Sequence, residues 1–144
     1  FRNSRAQELL VRQGSPSGFL VPASIPEGYK LSAGSPSFKV DSANYDYDSG
    51  SGYNLYFSEF GDGSYEKNMT PMSKDSRYKV IKNFNYNSSE GKVIHADVTI
   101  GGSSVSTDFL AYNHNGNYLT IKATDPKITP DYLIILLKAM TVAK

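Results

Sequence analysis

His95 and His114 are the only side chains whose ordinary titration falls near neutral pH, and no cysteine accompanies them. Nucleophilic catalysis would have to set one of these imidazoles beside a hydroxyl and a carboxylate. The Gly-x-Ser-x-Gly elbow that exposes a reactive serine is absent, since Gly14 to Gly18 places Pro16 at its centre. His95 falls in a strand pattern and reads as a half-buried sheet residue. His114 precedes Asn115-Gly116 and reads as a solvated turn residue. No catalytic residue is expected.

Two isolated histidines without cysteine do not make a zinc site. Asp46-Tyr47-Asp48-Ser49-Gly50 has the alternate carboxylates of a calcium loop but lacks the later bidentate Glu. It reads as a solvated turn whose Asp side chains cap backbone N–H groups. No metal and no cofactor is expected.

The tyrosines point toward binding. There are eleven Tyr, seven Phe and no Trp, and Tyr45, Tyr47, Tyr53 and Tyr56 gather around Asp46 and Asp48. Tyr rings supply contact area at low entropic cost, so these six residues are the candidate surface for a ligand or partner. The competing reading is that alternate strand tyrosines pack across a sheet.

Charge is distributed unevenly. Asp41, Asp46, Asp48, Glu59, Asp62 and Glu66 fall in one stretch with no Lys or Arg. Lys67, Lys74, Arg77, Lys79, Lys82 and Lys92 then stand against only Asp75 and Glu90. Adjacent strands could pair these charges, or the acidic stretch could face a cationic partner. Tyr78 to Phe84 interleaves Lys with aromatics, but the chain carries a net charge of only +1, so nucleic acid is not expected as a partner.

These residues must be positioned by a single domain, for which 144 residues suffice. A composition of 39% hydrophobic and 20% charged is that of an ordinary globular chain. Arg5 to Gln13 predicts a short helix with Ala6, Leu9, Leu10 and Gln13 on one face, and residues 1–18 read as that helix plus a linker. Phe19 to Val21 is extended, and Pro22 and Pro26 forbid regular pairing between them. Pro26-Glu27-Gly28-Tyr29 is a turn. Tyr29 to Ala33 and Ser37 to Val40 read as strands, Asn44 to Gly52 as a loop or hairpin tip, and Tyr53 to Phe60 as an alternating strand. Gly61 to Lys74 is polar and reads as a mobile loop.

Three further strands follow over Tyr78 to Phe84, Lys92 to Ile100 and Val105 to Tyr112. Gly101-Gly102 turns the last two, and Asn115-Gly116 leads into Tyr118 to Ala123. The chain closes with a helix over Pro130 to Met140, capped by Thr129, with Leu133, Leu136, Leu137 and Met140 as its core stripe. Ile134 and Ile135 widen the stripe and predict cover on more than one side. Strands joined by hairpins and followed by a helix give an α+β fold: a curved antiparallel sheet of about six to eight strands with the C-terminal helix, and the short N-terminal helix, packed on it.

Val21-Pro22-Ala23-Ser24-Ile25-Pro26-Glu27-Gly28-Tyr29-Lys30-Leu31 resembles the opening motif of domain-of-unknown-function family 4367. Phe109 to Tyr112, Asn115 to Tyr118 and Thr129 to Leu133 resemble that family's final hairpin and closing helix. The likeness spans Phe19 to Met140, with its motifs at the two ends and Tyr112 standing where family members often carry Trp. It implies an extracytoplasmic domain of a Gram-positive bacterial envelope protein, related in shape to lipoprotein-carrier and sigma-regulator sensor domains, and it supplies no catalytic residues.

The chain opens on Phe1, and any membrane attachment is expected through an anchor outside it. Asn68-Met69-Thr70 and Asn87-Ser88-Ser89 match the glycosylation sequon, a pattern frequent by chance in Asn- and Ser-rich chains. The functional expectation is a non-enzymatic sensor or binding domain at the cell surface for a protein or small molecule. Its alternatives are an envelope carrier holding an apolar ligand between sheet and helix, and a hydrolase with an unrecognised site.

Overall fold

Alternation of apolar side chains builds about half of this chain into strands, which the computed structural model describes for residues 2–3 and 14–143. In chain order these are β1 (Arg2–Asn3), β2 (Leu20–Val21), β3 (Ser24–Ile25), β4 (Lys30–Leu31), β5 (Ser37–Lys39), β6 (Ser42–Asp48) and β7 (Asn54–Phe60). Helix α1 (Ser64–Met72) follows, then β8 (Tyr78–Tyr86), β9 (Ser89–Ile100), β10 (Ser103–His114), β11 (Asn117–Ala123), helix α2 (Pro130–Lys138) and β12 (Thr141–Val142).

The main sheet has eight strands in the order β4-β6-β7-β11-β10-β9-β8, with β5 also paired to β6, and all its pairings are antiparallel. Strands β8 to β11 form a meander of three hairpins. Their turns, Asn87-Ser88, Gly101-Gly102 and Asn115-Gly116, all hold positive φ at both positions. That is the geometry whose twist matches flanking strands. The glycine-containing turns are legible in the sequence; Asn87-Ser88 carries no glycine and is not. Beside the main sheet, β1 pairs with β3 and β12 with β2.

The two faces of the sheet are covered differently. One face presents Tyr45, Tyr47, Leu55, Phe57, Val93, Leu110, Leu119 and Ile121, and Leu133, Leu136 and Leu137 of α2 seal it into one core. Each such side chain stabilises the fold by about 1.5–3 kcal/mol when removed from water. The other face carries Ile94 and Ala111, against which α1 packs Tyr65 and Met69. A bulge between Val80 and Lys82 makes β8 serve both faces. Tyr78 and Val80 stand opposite Ala96 and Ile94 on the α1 side, whereas Lys82 and Phe84 stand opposite Val93 and Gly91 on the α2 side.

Several expectations are corrected. The segment read as a mobile loop over Gly61 to Lys74 contains α1, because Tyr65 and Met69 fall four apart and bury one stripe although Pro71 lies inside the helix. The segment read as a loop or hairpin tip over Asn44 to Gly52 holds the tip of the β6–β7 hairpin at residues 49–53, but its first part is strand β6, because Ala43, Tyr45 and Tyr47 alternate inward. The strand expected over Tyr29 to Ala33 is reduced to Lys30–Leu31. Helix α2 opens as expected, with the Thr129 hydroxyl accepting from the Tyr132 amide at 3.3 Å, but Ile135 is 49% exposed and its side is uncovered. The acidic strands β6 and β7 do not neighbour the basic strands β8 and β9, since β11 and β10 stand between them. The helix expected over Arg5 to Gln13 lies outside the described residues. No helix among the described residues is long and apolar enough to cross a membrane.

Candidate functional site

Alternation along β7 sends Leu55, Phe57 and Glu59 to the α2 side of the sheet. Glu59 is therefore a carboxylate at a core position, 1% exposed. A buried charge is tolerated only when its oxygens are filled. Oε1 accepts the Leu20 amide of β2 at 2.8 Å, and Oε2 accepts the Asn117 amide nitrogen of β11 at 2.8 Å. Nδ1 of His114, at the end of β10, lies 2.7 Å from the same Oε2. One side chain thus ties together the N-terminal segment, β7 and the β10–β11 hairpin.

His114 is the imidazole read from the sequence as solvated; its side chain is only 12% exposed. The ring stacks on Tyr112 with centroids 6.4 Å apart and planes 19° apart, and the Tyr112 hydroxyl donates to the Tyr86 carbonyl at 2.7 Å. With Nδ1 engaged by the carboxylate, Nε2 is the free polar edge, and it has no hydrogen-bond partner among the described residues. The ring borders a hollow of about 250 Å³ together with Ser89, Tyr112 and Asn115. An imidazole oriented by a carboxylate is the base half of a catalytic triad. The nucleophile half is not made, because no hydroxyl among the described residues bonds to His114.

The six residues singled out by their sequence clustering do not form one patch. Tyr45 and Tyr47 are each 1% exposed and belong to the core. Desolvation pushes the Tyr45 hydroxyl up to about 12 and raises that of Tyr47 as well. Asp46 and Tyr56 are cross-strand partners on the opposite face, where partial burial raises the Asp46 carboxyl. Asp48 accepts the Gly50 amide at 2.6 Å, and Tyr53 is 39% exposed near that turn. Among the described residues no three His, Asp or Glu side chains converge on a point where a metal could sit.

His95 stands on the α2-remote part of β9 between two carboxylates. Its Nδ1 lies 2.7 Å from Asp108 and its Nε2 3.0 Å from Asp97, which also accepts from the Ser106 hydroxyl. The bond to Asp108, then that to Asp97, raises the imidazole above its ordinary range. Both ring nitrogens are occupied, so this cluster is a closed surface network.

A further open feature is the face under α1. The helix is anchored at its start, with the Tyr65 hydroxyl donating to Glu90 at 2.6 Å and the Tyr65 amide to the Gly116 carbonyl at 3.1 Å. It covers only part of the sheet. Hollows of about 480 and 320 Å³ flank it and share Met72 and Tyr78. The larger is floored by Met69, Val80 and Ile94 and edged by Lys79 and Lys92. The smaller runs over Phe60, Ala96, Val98 and Phe109 to Lys122. Phe60 is 40% and Val80 48% exposed. Sequence reasoning missed this groove because it needs α1, whose stretch carries few apolar residues.

Neither a family model, nor a curated protein, nor a solved structure matches the chain.

Proposed function

We propose that this chain is a binding domain and not an enzyme, and that its ligand lies on the sheet face that α1 leaves open. The single observation that carries the reading is the unequal cover of the two faces. Leu133 and Leu136 of α2 seal the middle of one face, while beside α1 apolar side chains line adjoining hollows whose edges carry Lys79, Lys92 and Lys122 against Glu66. An apolar floor with a cationic rim suits an amphiphile: an acyl or aromatic body with an anionic head. Asp46 and Tyr56, two of the residues singled out in the sequence, share this face further along β6 and β7. This reading moves the expected apolar ligand from the α2 side to the α1 side.

The same proposal places the domain outside the cytoplasm, in an envelope protein that senses or holds a ligand. Its support is the Tyr-, Ser-, Asn- and Gly-rich composition and the motif likeness at the two ends of the chain.

Titration with a fluorescent fatty-acid analogue tests the reading. Saturable binding is expected, lost in Phe60→Glu and Val98→Glu while the unfolding midpoint is kept. Absence of saturable binding, or binding unchanged in both variants, would sink it. The non-catalytic half is tested with a fluorophosphonate probe: covalent labelling of Ser89 beside His114 would show an active hydrolase instead.

A further inference from the structure

The hollow beside His114 is separate from the α1 groove, on the other side of the sheet, and we infer that it is a second binding site, for one neutral polyhydroxylated ring of the monosaccharide class. Among the described residues its lining contains no Lys, Arg, Asp or Glu, and the Lys138 ammonium lies against the Tyr86 ring, 5.7 Å from its centroid. No described residue of the lining offers a charged ligand an opposite charge, and the Glu59 carboxylate behind it is filled by three donors. One wall is polar, with Asn87, Ser89, His114 and Asn115; the other is apolar, with Leu137 and Met140 among its residues. This two-sided character matches a sugar ring, which presents hydroxyls at its rim and C–H groups on its faces.

The polar wall has capacity to spare. The side-chain amides of Asn87 and Asn115 make no hydrogen bond among the described residues. With Nδ1 turned to Glu59, Nε2 is the edge of His114 left to bond a ligand hydroxyl. The wall is also held in place before any ligand arrives. His114 is fixed by Glu59 and by stacking on Tyr112, and Tyr112 by its bond to the Tyr86 carbonyl. Preorganisation of this kind lowers the ordering cost of binding. At about 250 Å³ the hollow falls below the size of drug-class pockets, which run from about 300 Å³ upward, and so suits a single ring.

The test is a titration of the isotope-labelled protein with D-glucose, N-acetylglucosamine and myo-inositol, read by amide and imidazole NMR shifts. At least one of these should give saturable shifts centred on Ser89, Tyr112, His114 and Asn115. Val142→Trp, at a half-exposed position on the rim, should weaken that binding at least about tenfold. Asn115→Asp keeps a residue that tolerates the positive φ of this turn, and should weaken it similarly. Three results would overturn the inference: no saturable shift with any of the three compounds, shifts that persist unchanged in both variants, or tighter binding of glucose 6-phosphate than of glucose. None of these bears on the α1 groove, whose probe and variants are different.

Discussion

Nδ1 of His114 lies 2.7 Å from Oε2 of Glu59, across fifty-five positions of sequence and from a strand that is not a neighbour of β7. The pair closes over β11, and Asn117 of β11 donates to the same oxygen. Because the carboxylate is 1% exposed, the bond is part of how the core is satisfied.

Removing one partner should therefore cost more than a surface ion pair would. His114→Ala leaves Glu59 buried with one donor fewer, and a loss of about 1.5–3 kcal/mol in urea unfolding is expected. Glu59→Gln should lose less, since an amide oxygen can still accept from Leu20 or Asn117. The double variant should show coupling of about 0.5–3 kcal/mol. A His114→Ala protein within about 0.5 kcal/mol of the parent would mean the bond is incidental.

The exposed His95 cluster makes stability depend on pH in a defined sense. The imidazole is raised by Asp108 first and Asp97 second, so its contribution is complete below the unfolded value of about 6.5 and fades as pH climbs through the folded value. Asp97 is lowered, by the Ser106 hydroxyl first, so its contribution is complete above the ordinary 3.8 and fades as pH drops through the folded value. Proton NMR titration of His95 should thus give a midpoint above that of a free histidine, moving down in Asp108→Asn. An unshifted midpoint in the parent would remove the cluster as a source of pH dependence.

The one-sided cover of α2 separates two neighbouring positions. Leu136 is 1% exposed and Ile135 is 49% exposed. Leu136→Asp places an unpaired charge in the core and should abolish cooperative unfolding. Ile135→Asp should stay within about 0.5 kcal/mol of the parent by circular dichroism melts and urea titration. Equal effects at both positions would show that something covers the outer side of the helix.

Much of the architecture is local and so was readable. Asn115-Gly116 and Gly101-Gly102 demand positive φ, Thr129-Pro130-Asp131 starts a helix, and period-two alternation marks the strands. Other elements depend on what they pack against. Helix α1 is polar by composition and exists because Tyr65 and Met69 find Ile94 and Ala111 on a face that β9 and β10 build later in the chain. Asn87-Ser88 turns tightly without glycine because the β8–β9 register requires it.

The same division holds for the sites. Residue types and their order establish that only two imidazoles exist, that no thiol chemistry is available, and that the tyrosines alternate along strands. Parity then sends Tyr45 and Tyr47 inward and Asp46 outward, and only the packed sheet says which side is inward. Tertiary structure alone decided that Glu59 would be buried, that His114 would reach it, and that α1 would leave part of one face uncovered. The physical reason is that burial and pairing are properties of elements brought together from distant parts of the chain, whereas turn and capping chemistry are satisfied within a few residues.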